Sequence, residues 1–317
     1  MEIRHLQHFV ALAEEGSFTR AAQRMHIVQS GLSASIKELE EELGSRLVER
    51  TTRRVALTDT GRLFLEHARA TLTAMEAGVT AVRSQDGVVR GRLRLGTLQS
   101  LGPYLELPLL LKRFREAYPE VEIAVRALGT DAIPGLVASG DVDLSFHALV
   151  NRREWPGVEV IPYVEDSLVA VGAMENAKMR GGSVSLEALG RETFVDLSPD
   201  RALRRVVDGM FAEHRVKRNT VYEVSDVQTA LQFVERDMGV AAVPSALARP
   251  LAAKRRIRAL KISDEGPRPP AWRLAILRRV RQKGLVGKST VDLFLEALAG
   301  MPRAPKSVAG RGWTAAG

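Results

Sequence analysis

No cysteine occurs among the 317 residues. That excludes a disulfide framework and any zinc site built on thiolates. No apolar run approaches the roughly 20 residues that a membrane-spanning helix needs. Met1 leads straight into "EIRHLQHFVALAEEGSF", a charged amphipathic pattern with no continuous apolar segment of the secretory kind. A cytoplasmic protein with no membrane partner is the expectation. Three catalytic signatures are also missing: the nucleophile elbow G-x-S-x-G, the Walker A phosphate loop and the zinc-binding H-E-x-x-H. His5 and His8 are spaced like metal ligands on a helix, but no acid or cysteine beside them completes a site. Neither metal nor cofactor is expected.

Basic residues exceed acidic ones, for a net charge of +8, but unevenly. Residues 1–90 are neutral, 91–250 carry −3 and 251–317 carry +11. A nucleic-acid argument therefore cannot rest on net charge. It must rest on where single charges fall. The length suggests roughly two domains of about 150 residues.

The first helix reads from about Ile3 to Glu15, with Leu6, Phe9, Val10 and Ala13 on one face and Gly16 ending it. Ser17 is placed to cap a short second helix, "FTRAAQRM". Its Ala21 and Ala22 allow another helix to approach closely. After a tight turn at His26–Val28, a third helix opens near Gln29. Leu32, Ile36, Leu39 and Leu43 form its inward stripe. Ser30, Ala34, Lys37 and Glu41 lie opposite, with Ser33 at the edge. Its acids, Glu38, Glu40, Glu41 and Glu42, crowd the C-terminal half. A helix dipole alone favours the reverse arrangement. The first two turns are small and neutral, with backbone amides and the positive dipole end available. Such a helix can sink into a major groove, where Gln29, Ser30 and Ser33 hydrogen-bond to base edges and Lys37 reaches phosphate or guanine. The alternative is an ordinary surface helix. "SRLVERTTRRVALT" follows, read as two short strands around "RTTR". Arg50, Arg53 and Arg54 at one hairpin tip suit phosphate or narrow minor-groove contacts.

Residues 3–61 resemble, almost without gaps, the N-terminal module of LysR-type transcriptional regulators. The resemblance is carried by Phe9, Gly16, Ser17, Ala21, Ala22, Gln29, Ser30, Leu32, Ser33, Ile36, Leu39, Glu40, Leu43, Gly44, Leu47, Arg50, Leu57, Thr58 and Gly61. It implies a winged helix-turn-helix that binds double-stranded promoter DNA, with Thr19 and Arg20 joining Gln29, Ser30, Ser33, Lys37, Arg50, Arg53 and Arg54 at the interface. Position 34, often Arg or Gln in that family, is Ala34. The expected base contacts therefore shift to Gln29, Ser33, Lys37 and the wing.

From Asp59 to about Gln85 there is no proline, and a and d positions recur: Leu65, Leu72 and Val79 with Ala68, Met75 and Val82. This predicts a short dimeric coiled coil. A long helix packed on its own domain is the competing reading. The resemblance implies dimerisation through this helix, and pairing of the C-terminal domains to give a homotetramer. "DGVVRG" reads as a hinge.

From Arg92 onward, short strands alternate with helices, the pattern of an α/β fold with parallel strands. "VEDSLVAVGA" marks a crossing into a second lobe, and "AWRLAILRRV" the return. "AYPEVEI", "SGDVDLSF" and "GVAAVPSALA" resemble the periplasmic-binding-protein-like effector domain of the same family. The expected division is an all-α winged helix-turn-helix at 1–58, a linker helix at 59–86 and a two-lobe effector domain at 87–301. Lobe one is placed at about 92–163 and 268–301, lobe two at about 164–267, and a disordered tail at 302–317. Ligands of such folds lie between the lobes, at carboxyl ends of strands and N-termini of helices. Gln99 and Ser100 follow the first strand. Thr130 precedes a helix, Phe146 and His147 end a strand, and Ser198 is placed as an N-cap ahead of Pro199. Ser225 and Gln228 stand at capping-box spacing. Gln99, Ser100, Thr130, Phe146 and Ser198 form the candidate effector site. Several helix N-termini converging there suit an anion, and a carboxylate-bearing metabolite is the expected small-molecule effector.

Two other function classes compete. A hydrolase or transferase with a DNA-binding appendage would need a catalytic constellation, and none of the searched motifs occurs. A solute-binding protein would need an export signal.

Overall fold

The computed structural model describes residues 1–50, 55–83, 89–98, 101–127, 129–150, 154–263, 271–280 and 288–302. The chain divides at Gly91 and Arg92 into two compact units.

In the first unit, α1 (Ile3–Glu15), α2 (Phe18–Arg24) and α3 (Gln29–Leu43) form one core. Gly16 ends α1 at φ +56°, in the left-handed region where glycine bears no penalty. The Ser17 hydroxyl accepts from the Arg20 amide and caps α2. Leu6, Phe9 and Leu12 meet Ala21 and Ala22 of α2 and Leu32, Ile36 and Leu39 of α3. Each large apolar side chain buried this way contributes roughly 1.5–3 kcal/mol. The inward stripe of α3 stops at Leu39. Leu43, expected within it, is 37% exposed because α3 outruns its partners before Gly44 ends it.

β1 (Val48–Arg50) and β2 (Val55–Leu57) pair antiparallel, with Val48 opposite Leu57 and Arg50 opposite Val55. The described part of the second strand begins at Val55. Residues 51–54, which include Arg53 and Arg54, lie outside the described residues, as does the side chain of Arg50. Glu40 has a role the charge pattern hid. Its carboxylate accepts the Leu47 and Val48 amides at 2.7 and 3.0 Å and ties α3 to the hairpin.

α4 (Asp59–Arg83) starts under a Thr58 cap, whose hydroxyl accepts the Gly61 amide at 2.9 Å and donates to the Arg46 carbonyl at 2.8 Å. Phe64 lies 5.6 Å from Phe9, ring to ring. Ala68 is 1% exposed inside the first unit's core, and Leu65 and Leu72 are partly buried on it. This corrects the coiled-coil reading for the N-terminal half of α4. Its apolar stripe is covered by its own module, and Ala68 is unavailable to a partner helix. The same stripe continues through Met75 to Val79, which is 42% exposed. The side chain of Val82 lies outside the described part.

The second unit contains β3 (Gly91–Thr97), α5 (Leu107–Ala117), β4 (Val121–Ala127), α6 (Ile133–Ser139), β5 (Leu144–Ala148) and β6 (Val158–Ala173). There follow β7 (Ser183–Ser185), α7 (Leu186–Gly190), β8 (Thr193–Leu197), α8 (Ala202–Glu213), β9 (Asn219–Val224) and α9 (Val227–Glu235). β10 (Ala241–Pro244), α10 (Ser245–Ala253), β11 (Ile257–Ser263), β12 (Ala271–Arg279) and α11 (Thr290–Ala299) complete it. The main sheet runs β4-β3-β5-β12-β6-β11-β7, with β10 also on β6, and β8 pairs with β9. β6 joins two lobes. Its first part, Val158–Ser167, pairs with β12, and Leu168–Ala173 lies between β10 and β11. At the crossing sits Asp166, 2% exposed. It accepts from the Tyr104 phenol at 2.8 Å in lobe one, and from the Ser245 hydroxyl and Ala246 amide at 2.6 and 2.9 Å in lobe two. Burial and the Asp166 charge push the Tyr104 pKa well above its ordinary value, so Tyr104 stays a donor.

Two helix starts differ from expectation. α8 opens at Ala202 with Arg201 as its N-cap residue, so Ser198 caps nothing; its hydroxyl donates to the Val224 carbonyl at 3.2 Å. α9 is capped by Asp226, whose carboxylate accepts the Thr229 amide at 2.9 Å, and not by Ser225. Among the described residues, no helix is long and apolar enough to cross a membrane.

Candidate functional site

α3 begins without a side-chain cap. Its N-cap residue is Val28, which has no acceptor to offer the first-turn amides. Gln29, Ser30, Ala34 and Lys37 are exposed and Ser33 is half-buried, so one face of these turns is both accessible and low. The Thr19 hydroxyl donates to the Gln29 side-chain oxygen at 3.5 Å and links α2 to the start of α3. Lys37 pairs with Glu41 at 3.2 Å, both largely exposed. Such a pair is worth about 0.3–0.5 kcal/mol and is readily exchanged for a phosphate. Arg20, also exposed, lies 3.6 Å from the Glu15 carboxylate.

The two histidines with metal-like spacing brace α1 against α3. His8 Nδ1 is 2.8 Å from the Ser35 hydroxyl, and His5 Nε2 is 3.3 Å from Glu38. Burial, then the neighbouring His5 and Arg4, lower the His8 pKa and favour its neutral form. Among the described residues, no group of three or more His, Cys, Asp or Glu is placed to hold a metal ion.

In the second unit a polar cluster bridges the lobes. Phe146 and His147 are adjacent on β5 and so point to opposite faces. Phe146 is fully buried, 5.5 Å edge-on to Tyr163, and is a core residue, not a wall of the cleft. His147 is 3% exposed and stands perpendicular to Trp155 at 5.5 Å. Its Nδ1 has no hydrogen-bond partner among the described residues. Arg205 of α8 and Asp131, in the β4–α6 connection, lie close enough to act on it. Burial and the Arg205 charge push its pKa down to about 4, against the opposing pull of Asp131, so the imidazole is neutral near pH 7. Arg205 Nη1 donates to Asp131 at 2.6 Å, while Arg205 Nε and Nη2 and Arg201 Nε are buried without hydrogen-bond partners among the described residues.

Of the expected effector residues, Thr130 is half-buried beside Asp131. Phe146 belongs to the core and Ser198 to the β8–β9 connections. Gln99 and Ser100 lie outside the described residues. The sequence places His147 at a strand end but outside the expected effector set, and it does not single out Arg205 or Asp131. A signal existed in "DRALRR": arginines gathered at a helix N-terminus oppose the dipole. Arg204 is accounted for, since it donates to Asp208 at 2.9 Å and to the Leu197 carbonyl at 2.8 Å.

Residues 3–62 match the family described as bacterial regulatory helix-turn-helix protein, lysR family, and residues 86–300 match the LysR substrate binding domain. The chain is 31% identical over 255 residues to the DNA-binding transcriptional dual regulator OxyR of Escherichia coli K12, covering 80% of this chain and 82% of that protein. It is 31% identical over 245 residues to the hydrogen peroxide-inducible genes activator of Dickeya chrysanthemi, covering 77% and 79%. A full-length OxyR variant from Pseudomonas aeruginosa has the same fold, with a TM-score of 0.71 at 21% identity over 98% of this chain and 99% of that one. The chain belongs to the LysR family of bacterial transcriptional regulators, with an N-terminal helix-turn-helix and a C-terminal effector-binding domain.

Proposed function

We propose that this regulator reads promoter DNA, as a dimer, with the N-terminal turns of α3 and the β1–β2 hairpin. A small carboxylate-bearing metabolite between the lobes of the second unit alters its promoter occupancy or its activation of transcription. The observation that carries the DNA reading is the start of α3: exposed, without a side-chain cap, and lined by short side chains. Gln29, Ser30, Ser33 and Lys37 face the groove in this reading, Thr19 and Arg20 flank it, and Arg50, Arg53 and Arg54 engage the backbone or the minor groove. The dimer seam uses the part of the α4 stripe that its own module does not cover, Met75 and Val79. The boundaries 1–58, 59–86 and 87–301 stand as the proposed division.

The carboxylate reading is supported by Arg205 and His147, one on each lobe, which have buried nitrogens without hydrogen-bond partners among the described residues. Thr130, Gln99 and Ser100 stay in the proposed set beside them. The Dickeya chrysanthemi relative is named for hydrogen peroxide induction. Thiol chemistry is not proposed for this chain, which has no cysteine.

Replacing Arg53 and Arg54 together with Ala tests the hairpin assignment. Affinity for all DNA sequences should fall, and the slope of log K against log salt should flatten by roughly 1.8, the weight of two phosphate contacts. Fluorescence anisotropy across a salt series reads both quantities. An unchanged slope would remove the wing from the interface.

A further inference from the structure

The Arg205–Asp131 contact joins the two lobes: Arg205 stands in the first two turns of α8 in lobe two, and Asp131 between β4 and α6 in lobe one. The contact is lopsided. A guanidinium presents a fork that matches a carboxylate with two parallel hydrogen bonds. Here Asp131 takes Nη1 alone, while Nε and Nη2 are buried with no hydrogen-bond partner among the described residues. The Asp131 side chain is 79% exposed, so it reaches the guanidinium from the solvent side, and that of Arg205 is only 30% exposed. His147, 3% exposed, feels the Arg205 charge, and its Nδ1 has no hydrogen-bond partner among the described residues. Among the described residues, these buried nitrogens therefore outnumber the hydrogen bonds that Asp131 accepts.

We infer that Asp131 is a built-in stand-in for the effector's carboxylate, occupying Arg205 in the free protein and displaced from it when a carboxylate ligand enters the cleft. This rests on the carboxylate reading proposed above. The incoming carboxylate bridges Nη1 and Nη2 of Arg205, which takes Nη1 from Asp131, and one of its oxygens also accepts from His147 in the Nδ1–H tautomer. Asp131 swings into water, where most of its surface already is. The exchange is favourable because an exposed ion pair is weak, whereas a two-point contact to a sheltered guanidinium is not. It also replaces a direct bond between the lobes with a bridge through the ligand. The ligand thereby binds one lobe arrangement better than the other, the condition for changing DNA occupancy.

The test uses the full chain with sodium acetate and sodium succinate as probes, against sodium chloride at matched ionic strength. Apparent affinity is read from the shift in melting temperature as each probe is titrated. Asp131→Ala should bind the probes about two- to fivefold tighter than the unaltered protein, since the internal competitor is gone. Asp131→Asn, which keeps the shape and removes the charge, should show a gain of the same sign. Arg205→Ala should lose the response, with its melting temperature in chloride reporting whether it folds. Equal or weaker binding by both Asp131 variants, with the response still lost in Arg205→Ala, overturns the stand-in and leaves the carboxylate reading in place. A response retained in a folded Arg205→Ala, or no response in any protein, overturns both.

Discussion

Gly61→Ala is expected to destabilise the DNA-binding unit by about 3 kcal/mol, the upper end for forcing extra volume into a packed site. The cause is local and severe. A Cβ on Gly61 would lie 2.1 Å from the Leu47 carbonyl oxygen and 2.9 Å from its carbon. Both are backbone atoms, and neither can rotate away. Leu47 is itself held, its side chain fully buried and its amide bonded to Glu40. Relief must come from moving the first turn of α4 or the start of the hairpin. Moving either breaks the Thr58 cap, the Glu40 contacts or the packing of Phe64 on Phe9. Far-ultraviolet circular dichroism in a denaturant series follows the helices of both units, α1–α4 included. The three tryptophans, at Trp155, Trp272 and Trp313, all lie beyond residue 91, so their fluorescence follows the remainder of the chain. Part of the dichroism change should move to lower denaturant, ahead of a fluorescence transition that holds. Unchanged dichroism would mean that α4 does not press on Leu47.

Arg218→Met should have a comparable or larger effect in the second unit, about 3–5 kcal/mol. Arg218 and Asp196 are 8% and 3% exposed at their side chains and meet at 2.7 Å. The guanidinium also bonds to Asp208 and lies over Phe194 and Phe211, 5.4 and 5.1 Å from their ring centres. Removing it leaves the Asp196 carboxylate buried with the Thr220 hydroxyl at 2.6 Å and Arg204 at 3.9 Å. One hydroxyl and one distant charge do not replace a direct ion pair. Replacing Asp196 with Leu in the same protein should recover much of the loss, because the cost is the stranded charge and not the missing attraction. The cluster is also sensitive to acid. Burial opposes ionisation of Asp208, but the hydrogen bonds and charges of Arg218 and Arg204 outweigh it and hold its pKa below the ordinary carboxylate value. An acid with a depressed folded-state pKa stabilises above its unfolded value and loses that contribution as pH falls through the folded one. The Asp208 contribution therefore fades below about pH 4. Tryptophan fluorescence in denaturant reads all three effects. A single variant no less stable than the double one would contradict this account of the cluster.

The DNA-binding unit was legible because its determinants are local. Leu32, Ile36 and Leu39 repeat at helical spacing, Gly16 and Gly44 mark two helix ends, and Ser17 caps the helix between them. α4 shows the limit of this kind of reading. A stripe of apolar residues says that something covers it, not whether the cover is the same chain or another. The first half proved to face its own module. In the second unit, all of β5 is buried, so alternation could not tell Phe146 in the core from His147 under the influence of Arg205. Ser198 and Pro199 looked like a helix start, yet the backbone delays α8 to Ala202. α10 and β11 are not legible in the sequence, because neither carries a clean period flanked by turn residues. Asp131 and Arg205 are 74 positions apart, and no local pattern announces such a contact.

The central claim is that the N-terminal turns of α3 enter a DNA groove because their side chains are short. Ser33→Leu and Ala34→Leu each fill the space that the backbone needs there, and Ala34 is exposed, so its variant tests access without touching the core. The direct measurement is competition binding of the full chain to the DNA upstream of its own gene, against unrelated DNA at fixed salt, with circular dichroism to verify the fold. Both variants should keep the unaltered spectrum and the weak, salt-dependent binding to unrelated DNA. Their preference for the upstream DNA should fall by about tenfold or more, the weight of one or two lost base contacts. Full preference retained by both folded variants would contradict a groove-facing α3.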